Sequence, residues 1–213
     1  ILAPAAYLLN WFIYSVFLRP LVKRSKTQGH LEVDSILSTF GISFIFIGLM
    51  HAIFGGEYFN YEYLEIPYEI FGQAYGVNRI IAFIGAVVIA TGLYIWLSKT
   101  RSGLRLRAVS VNPDSARLVG INVDKTSAMA FSLGGAVTAA GGSLISMFDT
   151  FDASVGIGFT MKALIIVILG GVKEIKGTVA AAFILGFAET AVATLIDPGL
   201  TLAAAFLLFI LVL

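Results

Sequence analysis

Of 213 residues, 58% are hydrophobic and only 13% charged, with a mean hydropathy of +0.92, roughly half the charge fraction of an average soluble domain. The net charge is +1 and cysteine is absent, which excludes a disulfide framework and a thiolate metal site. The charges are clumped, and the apolar runs between them reach the ~20 residues needed to cross a bilayer, so the chain reads as an all-α, polytopic transmembrane helix bundle.

Apolar blocks run over about 1–18, 35–54, 79–97, 127–148, 159–171, 178–196 and 201–213. These amount to about seven membrane segments in a single transmembrane domain, 1–213. The fifth block is short, with Gly156 and Gly158 before it and Gly170 and Gly171 after it. A broken or partly re-entrant helix is expected there, since irregular backbone is tolerated where it lines a cavity. A start at Ile1 and a stop at Leu213 inside an apolar run read as a fragment lacking N-terminal spans and the C-terminal end.

The loops alternate in charge. Residues 19–34 carry Arg19, Lys23, Arg24 and Lys26 against Glu32 and Asp34. Residues 55–78 carry Glu57, Glu62, Glu65 and Glu69 and no base. Residues 98–126 carry Lys99, Arg101, Arg105, Arg107, Arg117 and Lys125 against Asp114 and Asp124. Because basic loops stay in the cytoplasm, loops 19–34 and 98–126 are expected inside and 55–78 outside. The later loops agree, with Lys173 and Lys176 inside and Asp149, Asp152 and Asp197 outside. Tyr58, Tyr61, Tyr63, Tyr68 and Tyr75, with Phe59 and Phe71, suit an interfacial aromatic belt better than a docking surface.

Small residues recur at four-residue spacing in Gly134, Thr138 and Gly142, in Gly135, Ala139 and Ser143, and in Ala182, Gly186 and Thr190. Such stripes let helix backbones approach closely, and tight packing is expected of them.

Three features stand out as functional candidates. In the basic loop, Asn112 is placed as an N-cap, Pro113 at the first helical position and Asp114 at the positive end, while Gly120 suits a left-handed terminator. A two-turn helix from Pro113 to Val119 is expected, its apolar side formed by Ala116 and Val119. It either meets lipid headgroups or plugs into a cytoplasmic partner. Glu189 lies inside an apolar span, where a carboxylate needs a partner and faces the bundle interior or a wet cavity. An interhelical hydrogen bond is slightly favoured over a place on the pathway. The third is the run from Asp149 to Lys162, with Asp152, Gly156 and Gly158 in it. It reads as a solvated outer turn, with binding of an amino-acid zwitterion as the sharper alternative. His51 reads as a packing histidine, and Lys162 as a lysine snorkelling to the outer interface. No Gly-rich phosphate loop is present, and neither is a third metal ligand for His30 and His51.

The stretch Gly103 to Ala108, with Arg107 and Ala108, then Asn112 to Ala116, Gly120 to Asn122 and Phe131, resembles the central cytoplasmic signature of branched-chain amino acid ABC permeases. Gly170, Gly171 and Gly177, and the run Gly186 to Glu189, are similar to that family as well. Arg19, Pro20 and Leu21 lean toward its LivH-like members. The resemblance implies a non-catalytic permease subunit in a prokaryotic plasma membrane. Its partners would be a second homologous permease subunit, two cytoplasmic ATPases that use the ATP, an extracytoplasmic binding protein and membrane lipid. No cofactor is expected on this chain, and no nucleic-acid partner. The loop from Asn112 to Gly120 would be the element that docks on the ATPase. A permease for urea or a simple sugar is the alternative, and a secondary transporter would need more intramembrane ionisable groups than Glu189.

Overall fold

In the computed structural model, residues 2–24, 28–60, 67–70, 73–171 and 174–212 are described. Lys26, Tyr61, Glu62, Tyr63, Glu65, Phe71 and Lys173, which entered the loop-charge and aromatic-belt readings, lie outside the described residues. Two compact units are present, 1–153 and 154–213.

The first unit begins with α1 (Leu2–Ile13), which passes through a π turn (Tyr14–Leu18) into α2 (Arg19–Arg24). Pro20 has no N–H for the carbonyl of Val16, and its ring crowds that carbonyl; the wider turn just before it is a regular way to absorb such a break. Next come α3 (Gln28–Phe54), the strands β1 (Pro67–Ile70) and β2 (Gln73–Gly76), α4 (Val77–Lys99), α5 (Arg101–Val111), α6 (Pro113–Leu118) and α7 (Val123–Ile145). Two expected loops are therefore more ordered than their composition suggests. Residues 19–34 are helical at both ends, and 98–126 holds two helices and the start of a third. In the acidic loop, β1 and β2 pair antiparallel, with Pro67 opposite Gly76 and Ile70 opposite Gln73. This hairpin is a small addition to an all-α fold.

Packing in this unit centres on α1 against α7. Tyr14, Leu18 and Ala128 are buried together with Phe131 beside them, the Tyr14 and Phe131 rings 5.9 Å apart. Ser132 is fully buried, and its hydroxyl donates to the Ala128 carbonyl at 2.7 Å. Gly135 is small for a reason: any Cβ there would collide with the side chain of Asn10. The stripe Gly135, Ala139, Ser143 is thus the packed face of α7. The parallel stripe Gly134, Thr138, Gly142 is exposed in this chain, so the tight packing expected of it is not made here.

At the acidic end, Phe59 and Phe151 form an antiparallel bridge through two backbone bonds of 2.9 and 3.0 Å, with stacked rings. Buried Asn78 donates from Nδ2 to the Met147 carbonyl at 3.2 Å, and Arg79 lies over the Phe148 ring. His51 is exposed rather than packed, and its Nδ1–H donates to the Gly55 carbonyl at 3.2 Å where α3 ends.

The second unit contains α8 (Val155–Gly170), α9 (Ile175–Leu195), a 3-10 turn (Pro198–Leu200) and α10 (Thr201–Val212). Ile165, Leu185 and Ala205, one from each α-helix, form its core. At 16 residues α8 is about 24 Å long, short of a ~30 Å hydrocarbon layer. It is continuous, however, and the broken helix expected there is not seen: Gly156 and Gly158 both carry helical backbone in its first turn. The glycines act at the other end. Gly171 takes φ +86° as C-cap, and a Cβ on Gly177 would strike the Gly170 carbonyl. The α8–α9 hairpin closes backbone on backbone.

Among the described residues, five helices are long and apolar enough to cross a membrane, and Val155–Gly170 and Pro198–Leu211 are shorter apolar helices. Together they match the seven apolar blocks, and the chain is a multi-pass membrane protein.

Candidate coupling element and intramembrane ion pair

At the basic end, α4 turns directly into α5. Thr100 is the N-cap: its hydroxyl oxygen accepts from the Gly103 amide at 3.1 Å and donates to the Trp96 carbonyl at 2.7 Å. Gly103 is buried, and a Cβ there would meet the backbone of Trp96 and Leu97. Gly103→Val is expected to push α5 off the end of α4 and cost about 2–3 kcal/mol. Thermal unfolding of the detergent-solubilised protein, followed by size exclusion, would record the loss, and unchanged melting would contradict the close turn.

Asn112 then caps α6, its Oδ1 accepting from the amides of Asp114 and Ser115, both at 3.0 Å. At the other end Gly120, at φ +78°, donates to the Arg117 carbonyl, and Ile121 donates to that of Ala116. This paired closure is the Schellman stop. The helix is defined at both ends, as the sequence implied, and Val119 is its C-cap.

Its apolar side is not the expected one. Ala116 is 3% exposed and packs within the chain, whereas Val119 is 75% exposed. Leu118 and Val111 are exposed as well, two apolar residues that the sequence did not single out. Arg107 is turned to an internal task, donating to the Ser98 carbonyl at 3.2 Å and tying α5 to α4, and the carbonyl of Ala108 accepts the Asn112 amide. The Asp114–Arg117 pair is highly exposed and adds little stability.

In the second unit, Lys162 Nζ donates to Glu189 Oε2 at 2.9 Å. The hairpin geometry explains the meeting. Gly170 touches Thr178; Lys162 lies eight residues before that crossing and Glu189 eleven after it, about 12 and 17 Å along their helices. Side chains lean toward the start of their own helix, and these helices are antiparallel neighbours, so the two groups lean toward each other and close the difference. Ile165 and Leu185, one turn away, mark the same faces as the core side.

Glu189 therefore has the partner that an intramembrane carboxylate requires, and the partner is a charge. Lys162 does not snorkel: it sits at the middle of α8, about 11 Å from the start of that helix, and its ammonium goes sideways. Glu189→Gln, tolerable if the carboxylate only bridged helices by a hydrogen bond, would leave that ammonium unpaired. The pair is not sealed, with side chains 29% and 19% exposed, while Glu189 Oε1 is buried without a hydrogen-bond partner among the described residues.

Asp149 is exposed and Asp152 half-buried in the first unit; Gly156 and Gly158 open α8 in the second. Gly186 lies on α9 in the stripe with Ala182 and Thr190, all three exposed.

Residues 11–213 match the family model described as branched-chain amino acid transport system / permease component. The probable branched-chain amino acid transport permease protein LivH of Methanocaldococcus jannaschii is 27% identical over 81% of this chain and 55% of that protein. The high-affinity branched-chain amino acid permease protein LivH of Salmonella typhimurium is 27% identical over the whole chain and 69% of its own length. The xylose transport permease protein XylH of Haemophilus influenzae is 27% identical over 73% of this chain and 37% of that protein. No solved structure matches. With a family model spanning nearly all of a multi-pass membrane chain, this protein belongs to the branched-chain amino acid transport permease family.

Proposed function

We propose that this chain forms part of the translocation pathway of an ABC importer for branched-chain amino acids. In that assembly it pairs with a second homologous permease subunit and works with two cytoplasmic ATPases and an extracytoplasmic binding protein. The chain itself is non-catalytic and binds no cofactor; ATP is consumed by the partners. The observation that carries the reading is α6: a short helix fixed at both ends, anchored inward by Ala116 and presenting Leu118 and Val119 outward beside Val111. A rigid body of this kind, held in a cleft of the ATPase, moves when the cleft moves. The exposed stripes Gly134–Thr138–Gly142 and Ala182–Gly186–Thr190 offer a second membrane subunit the small-residue surfaces on which helices pack. The names of the LivH relatives support the substrate, and XylH supports a sugar as the alternative.

This reading requires α5 and α6 to be cytoplasmic. The cysteine-free sequence makes a direct test possible in sealed vesicles of known orientation. Ser110→Cys should react with an impermeant maleimide only from the cytoplasmic face, and Asn60→Cys only from outside. Reaction of both from one face would remove the coupling role along with the topology.

A further inference from the structure

We propose that Lys162 and Glu189 form the intramembrane binding site for the charged head of the transported amino acid. The Lys162 ammonium takes the α-carboxylate and the Glu189 carboxylate takes the α-ammonium. The 2.9 Å bond between them is the resting form of the site. The inference rests on the proposed function and names the chemistry at one place in it.

Stability supplies no reason for this pair. Removing two charges from water costs more than their attraction commonly returns, and well-packed apolar residues serve as well or better. Ile165, Leu185 and Ala205 already give the three helices an apolar core one turn away. Within a membrane such a pair marks a pathway by default. The pair is also incompletely satisfied in a way that suits a zwitterion. Glu189 Oε1 is buried with nothing among the described residues donating to it. Lysine carries three N–H donors, and its hydrogen bond to Glu189 uses one. One empty acceptor therefore stands beside donors in excess, matching an ammonium and a carboxylate that must both shed water to cross.

A zwitterion arriving here exchanges partners without changing the charge of the site. The ammonium of the substrate replaces that of Lys162 at Glu189, and Lys162 turns to the substrate carboxylate. When the substrate leaves, the pair re-forms and neither charge is stranded. Lys162 stands at the middle of α8, and substrate sites of membrane transporters lie near the bilayer midplane.

The test uses the complete transporter, with both permease subunits, the ATPases and the binding protein, in proteoliposomes. The double variant Lys162→Met/Glu189→Gln removes both charges together, leaving no orphaned ion. It should assemble and retain ATP hydrolysis stimulated by the loaded binding protein, while uptake of radiolabelled leucine falls at least about 100-fold, the loss of two charge-assisted contacts. Uptake within a few-fold of wild type would make the pair a structural clasp and overturn the inference. Glu189→Asp gives an independent reading should the double variant not assemble. It keeps the charge but withdraws the carboxylate by about 1.5 Å, which flexible Lys162 can follow but a bound ammonium cannot. Transport should drop about 10-fold or more, and a normal rate would again overturn the proposal. Failure of the wild-type transporter to move leucine, despite active ATPases, would instead fall on the substrate assignment, so the two failures are distinguishable.

Discussion

Val119→Asp is expected to leave the protein inserted and paired with its second permease subunit, yet to strip the ATPases from it and stop ATP-driven uptake. Val119 is 75% exposed and ends α6 at φ −92°, ψ 17°, a conformation aspartate adopts freely, so nothing inside the chain resists the change. Docked in an ATPase cleft, the same side chain would bury an unpaired carboxylate, which costs several kcal/mol and lowers occupancy at least about 100-fold. On a surface that only met lipid headgroups or water, the new carboxylate would turn outward with little effect. Affinity purification on the permease after co-expression of all subunits separates the cases. Retention of both ATPases with a normal transport rate would show that α6 does not couple. Ala116→Asp is the instructive contrast: Ala116 is buried in the chain itself, so that variant should lose folded protein before it loses a partner.

Gly177→Val is expected to disable the protein by a different route. The added Cβ strikes the Gly170 carbonyl, and Gly170 is itself pressed against the backbone of Thr178. Neither side can yield by rotating a side chain, so α8 and α9 must separate. Overpacking of this kind costs about 1–3 kcal/mol, and separation also strains the Lys162–Glu189 bond. Folded, monodisperse protein in detergent should fall to a small fraction of wild type. Gly186→Ala on the same helix is the control, since nothing lies within 4 Å of a Cβ there, and it should leave the chain as stable as before. A Gly177→Val protein with wild-type yield and melting would contradict the backbone crossing.

Much of the architecture was legible because membrane solvent imposes a coarse code. Apolar length set the segments, and capping chemistry located α6 almost to the residue, since Asn112, Pro113 and Gly120 each have one natural place at a helix end. What composition hid was order within polar stretches. α5 carries three arginines on 11 residues, and charge alone reads as loop; its start was nonetheless written in Thr100 and Gly103, three residues apart. The outward face of α6 was misassigned because a helix of six residues has no periodicity to separate Ala116 from Val119. Glu189 stood out as a charge in an apolar run, but Lys162 did not. Its role depends on the start of α8 at Val155, which puts it in mid-helix, whereas the apolar block began at 159 and left it near an edge. The packed and unpacked glycine stripes of α7 look alike in sequence. They differ in what covers them, as Asn10 of α1 covers Gly135.

The central claim, a permease working for ATP-driven uptake of branched-chain amino acids, is tested most directly by accumulation. Proteoliposomes holding the complete transporter, with ATP inside and loaded binding protein outside, should concentrate radiolabelled leucine above its external level. They should do so only while ATP is hydrolysed and with no imposed ion gradient. Leucine entry that ignores ATP and follows a proton or sodium gradient, or no entry beside brisk hydrolysis, would contradict the account.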